Sequence, residues 1–593
     1  MKAPRTSLCI ALTLATAVVA LAQGARPPGG GGGGFGGQGG PPAGQGGQFP
    51  RGGRTGPRDS MPQATGTGIL RGRVVGGDSG GPLRHAVVRL SGIDMREGKV
   101  AVTDEQGKWE ISDLPAGRFN LNASKGGYVA LDYGQRRPFE QGRPLELADK
   151  QVLESVNFNL PKGSVIAGRI NDEFGDPVAE ATVAAMRYRY FNGQRRLVPA
   201  GRFSQTDDGG NFRIYGLPPG DYYLSSTLRT GMFGDTDPSN RSGYAPTYYP
   251  GTGSSQQAER VTVGLGAEVS GVTFALLPVR TASISGTAVD SQGRPMTGAF
   301  VMLMEVSENG EGSFMMSFGG GGGRVGENGH FTIHNVSPGE YSISAREMGR
   351  DADAETAEAK IVVGGEDLSG VSLIGSKGSL IKGSVSFDTP PASGSVTPGS
   401  MSVMVMAKNP DASPMFRFGG QARDALNDDW TFEVRAMAGP ALLRPARMPP
   451  GYVLKSVFLN SQDVTDAGIS FKPGETVTGV QMVLTARTQT VSGAVVDAKG
   501  QPVTDYTAVV FADDPAKWGY MTRYIAMGRP DQQGAFQVKN LPPAHYLAIA
   551  VPYLEDGEQS NPETLERFRG SATSFELAEG DQRTLALTVV PND

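Results

Sequence analysis

The chain has only four histidines, His85, His330, His334 and His545. His330 and His334 fall on one face of a strand-like stretch, because side chains alternate at period two, with Phe331 and Ile333 on the other face. Two imidazoles so placed could hold a metal, but a zinc site needs further protein ligands and none stands beside them. Solvent-facing strand residues are the simpler reading. The acidic turns Asp104-Glu105, Asp207-Asp208, Asp428-Asp429 and Asp531 suggest calcium. That ion wants about six to eight oxygens, and one or two carboxylates per turn fall short. Asp bonding its own backbone, with Gly tolerating positive φ, accounts for these turns without an ion. No Gly-x-x-x-x-Gly-Lys phosphate loop occurs, and the glycine runs lack the strand-to-helix setting that anion binding needs. No catalytic, cofactor-binding or metal-ligating residue is assigned, and enzyme activity is not expected.

Aromatic clusters are the candidates for ligand contact. Tyr188, Tyr190 and Phe191 stand near an expected hairpin tip, Tyr244, Tyr248 and Tyr249 in a long loop, and Trp518, Tyr520 and Tyr524 near the end of the chain. Period two puts Tyr188 and Tyr190 on one face and Trp518 and Tyr520 on another. Flat exposed rings can stack on sugars with little entropy cost; rings that pack on their own domain are the competing reading. Tyr188, Tyr190, Trp518 and Tyr520 are the candidate ligand-binding residues.

These residues need a scaffold, and the sequence repeats one. An opening strand with a Gly-x-Pro turn appears as Gly72-Arg73-Val74 with Gly80-Gly81-Pro82, and again from Gly168, Gly286 and Gly493. A hairpin follows, clearest in Asp207-Asp208-Gly209-Gly210-Asn211-Phe212-Arg213-Ile214 with Leu217-Pro218-Pro219-Gly220-Asp221-Tyr222. Its first aromatic recurs at Trp109, Phe212, Phe331, Trp430 and Phe536. An alternating strand closes each unit, as in Val272-Phe274-Leu276 and Leu585-Leu587-Val589. Ordered repetition of this kind marks tandem domains. Short strands, regular turns and no sustained helical period predict about five antiparallel β-sandwiches of an all-β array, at 67–161, 162–278, 279–375, 376–487 and 488–593, the fourth divergent.

Lys2 and Arg5 precede the apolar run Leu8 to Leu21, and Ala20-Leu21-Ala22 fits a cleavage site, so residues 1–22 read as a signal peptide. Cys9, the only cysteine, lies within it. Residues 23–66 are Gly, Pro, Gln and Arg with few apolar side chains, the composition of a disordered linker. A net charge of −5 on 593 residues gives no nucleic-acid footprint. No later segment is apolar enough to span a membrane, so export to the periplasm, cell surface or exterior is expected.

Gly-x-Val, Gly-x-Pro, Ala-x-Val, Asp-x-x-Gly-x-Phe-x-Ile and Leu-Pro-Pro-Gly-x-Tyr resemble the carboxypeptidase regulatory-like domain, which is similar to transthyretin-like, Cna-B-like and starch-binding-like sandwiches. The resemblance covers nearly everything after Thr67. It implies a prealbumin-type, non-catalytic accessory module, and its matching residues are core and turn positions. The expected function is a secreted binding or spacer module at the cell envelope without cofactors. Its partner would be a polysaccharide or an envelope protein. A carbohydrate-binding protein and an accessory chain of a separate peptidase are the alternatives.

Overall fold

The computed structural model describes residues 66–591, except 93–97, 138, 192–193, 229–241, 306–322, 348–354, 393–395, 409–425 and 520. The expected signal peptide and nearly all of the linker lie outside these residues. The described chain is an all-β tandem array of two-sheet sandwiches. Separate apolar cores run from Leu70 to Leu160, Ile166 to Leu276, Ala282 to Leu373, Ile381 to Leu484 and Val491 to Leu587.

The second sandwich illustrates the plan. Ser164–Asn171 is central in one sheet, between the hairpin strand Asn211–Leu217 and the closing strand Glu268–Ala275. The facing sheet is ordered Gln194–Gln205, Thr182–Phe191, Gly220–Thr227 and Thr247–Tyr248. The strand Asn211–Leu217 alternates buried Phe212 and Ile214 with exposed neighbours, as its sequence requires. Opening and hairpin strands pair antiparallel, but opening and closing strands run parallel in all five sandwiches. The sheets are therefore mixed. A parallel partner needs a long crossover, and here the whole facing sheet supplies it.

The turns are held as the sequence suggests. Asp207 Oδ1 accepts from the N–H groups of Gly209 and Asn211 at 3.0 and 2.7 Å, and these bonds hold its carboxyl below the usual range. Asp104 and Asp531 accept the equivalent pairs. In the second, third and fifth sandwiches the turn after the hairpin strand is tied by the following tyrosine: Tyr222 donates to Pro218 O at 2.6 Å, Tyr341 to Ser337 O at 2.9 Å and Tyr546 to Pro542 O at 2.7 Å.

One glycine per sandwich joins all three repeated signatures. A β-carbon on Gly168 would overlap the Val272 carbonyl oxygen of the closing strand and come within 2.9 Å of the Phe212 ring. The same crowding holds at Gly72 with Val156 and Trp109, at Gly286 with Val371 and Phe331, and at Gly493 with Leu585 and Phe536. In the fourth sandwich Gly383 meets Val480 and Phe432. This corrects the expectation for Trp430. The Trp430 N–H donates to Asn427 O as Gly210 donates to Asp207 O, and its φ of 64° takes the left-handed place that glycine holds elsewhere. Phe432, two residues on, is the core ring.

A second departure is the helix Pro562–Arg569 in the fifth sandwich. Asn561 caps it by accepting from Glu563 N, and Leu565 and Phe568 are buried. Adding one methyl at Gly493 forces the closing strand or the Phe536 ring to move, so Gly493→Ala is expected to cost the fifth sandwich about 1–3 kcal/mol. Phe536→Ala is expected to cost about 3–5 kcal/mol. Chemical denaturation followed by intrinsic fluorescence reads both.

Candidate functional site

The first and second sandwiches both meet the fifth, although more than 350 residues separate the contacting segments in sequence. The loop around Arg136 to Arg143 of the first sandwich supplies Glu140. Its carboxylate accepts from the N–H groups of Arg136 and Arg137 and stands 2.6 Å from Arg529 Nη1 of the fifth sandwich. Both side chains are 1% exposed. Arg529 also donates to Thr507 Oγ1 and Asp505 Oδ1, and Asp505 takes Arg143 at 2.9 Å and Arg136 at 3.4 Å. Burial pushes the Asp505 carboxyl up, but the Arg143 hydrogen bond and the surrounding guanidinium charges outweigh it and hold it low.

Backbone joins the same segments. Asp556 N donates to Phe139 O at 3.0 Å, and Glu140 forms a β-bridge with Glu555. From the second sandwich, Arg187 lies 3.5 Å over the Phe139 ring and 2.6 Å from Glu555 Oε1. Burial lowers the Arg187 guanidinium and raises the Glu555 carboxyl, each against the pull of its partner. Arg189 pairs with Asp556 at 3.4 Å. The fourth sandwich reaches the fifth through Asp466, which accepts from Arg523 at 2.8 and 3.0 Å.

Beside this junction lies an open cleft of about 580 Å³. Tyr190, Arg189 and Val198 form one wall, Met521 and Ile525 to Met527 another, and Gln141, Asp556 and Gln559 are at the rim. Of the four candidate ligand residues, the structure brings Tyr190 here. Tyr188 is occupied elsewhere, edge-on to Tyr223 at 5.4 Å and covered by the Arg195 guanidinium at 4.2 Å. Trp518 is not a displayed ring. It is 5% exposed, packs edge-on to Phe511 and donates its indole N–H to Ala512 O at 2.7 Å. The short turn Pro515–Lys517 breaks the strand alternation and turns the indole under the helix Pro562–Arg569. Tyr520 lies outside the described residues.

Other polar residues are absorbed by the scaffold. His334 Nδ1 lies 3.0 Å from Ser283 Oγ, and His330 is exposed. Contrary to the expectation that no nucleophile elbow occurs, Gly77-Asp78-Ser79-Gly80-Gly81 has its Gly-x-Ser-x-Gly spacing. Its Ser79 lies in the turn after the strand Gly68–Gly76, accepting from Gly81 N at 3.3 Å. An elbow needs a strand-to-helix turn, and this is strand to strand.

Fold and junction define a multidomain all-β protein whose sandwiches pack on one another. Residues 69–160, which form the first sandwich, match the family model of the carboxypeptidase regulatory-like domain. No curated protein matches. Among solved structures, the chain is similar to the minor pilin GBS52 of Streptococcus agalactiae at 16% identity, over 36% of this chain and 98% of that one, with a TM-score of 0.20. A streptococcal ancillary pilin matches at 12% identity over 52% and 98%, with a TM-score of 0.19. The Bacillus anthracis TIE protein matches at 12% over 72% and 74%, with a TM-score of 0.13.

Removing Arg529 leaves Glu140 buried without its cation, so Arg529→Ala is expected to cost about 3–5 kcal/mol. It should also expand the chain in solution scattering. Asp505 has a folded pKa below its unfolded value of about 3.9, so its contribution is complete above that pH and is lost as the pH falls through the lower folded value. The parent is therefore expected to keep its closure from pH 7 to about 5 and to weaken below about 4. Asp505→Asn should lack that part of the acid limb in pH-dependent denaturation.

Proposed function

We propose that this chain is exported and serves, without catalysis of its own, as a binding and spacer module at the cell envelope. Its units are five sandwiches at 67–161, 162–278, 279–375, 376–487 and 488–593. The observation that carries this reading is the buried closure at Glu140, Arg529 and Asp505. A spacer must hold a fixed shape, and ion pairs that lose their value when separated tie distant segments into one body. The regulatory-like match of residues 69–160 supports an accessory role.

A carbohydrate ligand is the second reading, favoured by Tyr190 at the cleft beside the amides of Gln141 and Gln559. Both readings are tested by expressing the full chain with a C-terminal tag, fractionating the cells, and measuring retention of purified protein on isolated envelopes. Retention on envelopes is the expected result. Its absence, or a cytoplasmic location, overturns the module reading. Retention on insoluble polysaccharide that falls several-fold in Tyr190→Ala, with an unchanged circular dichroism spectrum, would establish the carbohydrate reading.

A further inference from the structure

The cleft meets Ile525, Ala526 and Met527 in succession. Successive side chains of a strand point to opposite faces, so a cavity that touches three in a row faces the strand's edge. Ile525–Gly528 is indeed the terminal strand of its sheet, hydrogen-bonded on one side to Thr507–Ala512. In an antiparallel ladder, opposed residues alternate between pairs that exchange two bonds and pairs that exchange none. Ala512 N donates to Tyr524 O, so the bonded pairs continue at Val510 with Ala526 and at Ala508 with Gly528. Ile525 and Met527 therefore turn their N–H and C=O groups away from the sheet, and no bond to them occurs among the described residues.

We propose that this edge is a binding site for an extended peptide segment of a partner protein, which adds as a further strand in the cleft between the fifth and second sandwiches. This deepens the module reading and rests on it. Two outward amide–carbonyl sets spaced by two residues, about 6.8 Å, match the repeat of an extended backbone. A sugar ring has no such repeat. The walls specify the peptide's chemistry. Arg189 and Asp556 pair with each other and cancel, so the segment is uncharged. Met521, Val198 and the half-buried Ile525 and Met527 offer apolar contact to alternate side chains. A cleft of about 580 Å³ holds a short segment and not a folded domain.

The site is tested by panning a phage-displayed library of random dodecapeptides over the full chain, then measuring the selected peptides by titration calorimetry. Peptides with apolar residues at alternate positions are expected. N-methylation at alternate backbone amides should weaken them about tenfold or more, a loss of about 1.4 kcal/mol, while methylation of the intervening amides is tolerated. Met527→Pro removes an N–H that the sheet does not use, so it should fold and lose the peptides, whereas Met527→Ala should keep them. If Met527→Pro does not fold, the N-methylation pattern decides alone. Selection of no peptide, equal tolerance of all N-methyl positions, or unchanged binding by folded Met527→Pro overturns the inference. So does polysaccharide retention that depends on Tyr190 in the absence of any selected peptide. The module reading has its own failure, the loss of envelope retention by the parent.

Discussion

Each sandwich depends on a close approach that only glycine permits. At the middle of the opening strand, the closing strand's carbonyl and the hairpin's aromatic ring occupy the space where a side chain would begin. The absence of one β-carbon thus lets the carbonyl of a parallel neighbour press over the strand beside the ring that fills the core. Ring, carbonyl and glycine come from the three signatures that repeat along the chain, which explains why they recur together and in order. The fourth sandwich has lost its Gly-x-Pro and Leu-Pro-x-Gly turns but keeps Gly383, Phe432 and Val480 in contact. Turns can be rebuilt by other residues, and this triple contact is what remains.

The second constraint acts between sandwiches. Glu140 and Arg529 are as buried as core leucines, and their desolvation is costly unless every charge has partners. Here the carboxylate takes two backbone N–H groups and one guanidinium, while the guanidinium takes Glu140, Asp505 and Thr507. An apolar patch would tolerate sliding. Buried ion pairs with several directional bonds do not, so they set register between segments far apart in the sequence.

This division explains what could be read from the sequence. Strand alternation, Asp-x-x-Gly turns and closing strands are local, and they gave the all-β array. Trp430 misled because an aromatic stood where the repeat has glycine, and only backbone geometry separates it from Phe432. Asn561-Pro562 followed by Glu563 is a readable helix start, missed among so many turns. Trp518 looked available because its neighbours resembled a loop, but a loop that lies under a helix is core. The junction had no local signal. Glu140 and Arg529 are ordinary charged residues until the fold removes water from both.

An open strand edge is a hazard in most β-proteins, because it invites sheets of other molecules to pair. The edge at Ile525–Gly528 escapes this by being short and recessed, with the second sandwich on one side and the turn Glu558–Ser560 on the other. The far wall of the cleft, Arg189, Tyr190 and Val198, belongs to the second sandwich, which is placed by Arg187 with Glu555 and Phe139. The cleft therefore exists only while the array is closed. The contacts that join the second sandwich to the first and fifth thus also place the wall that shields the edge.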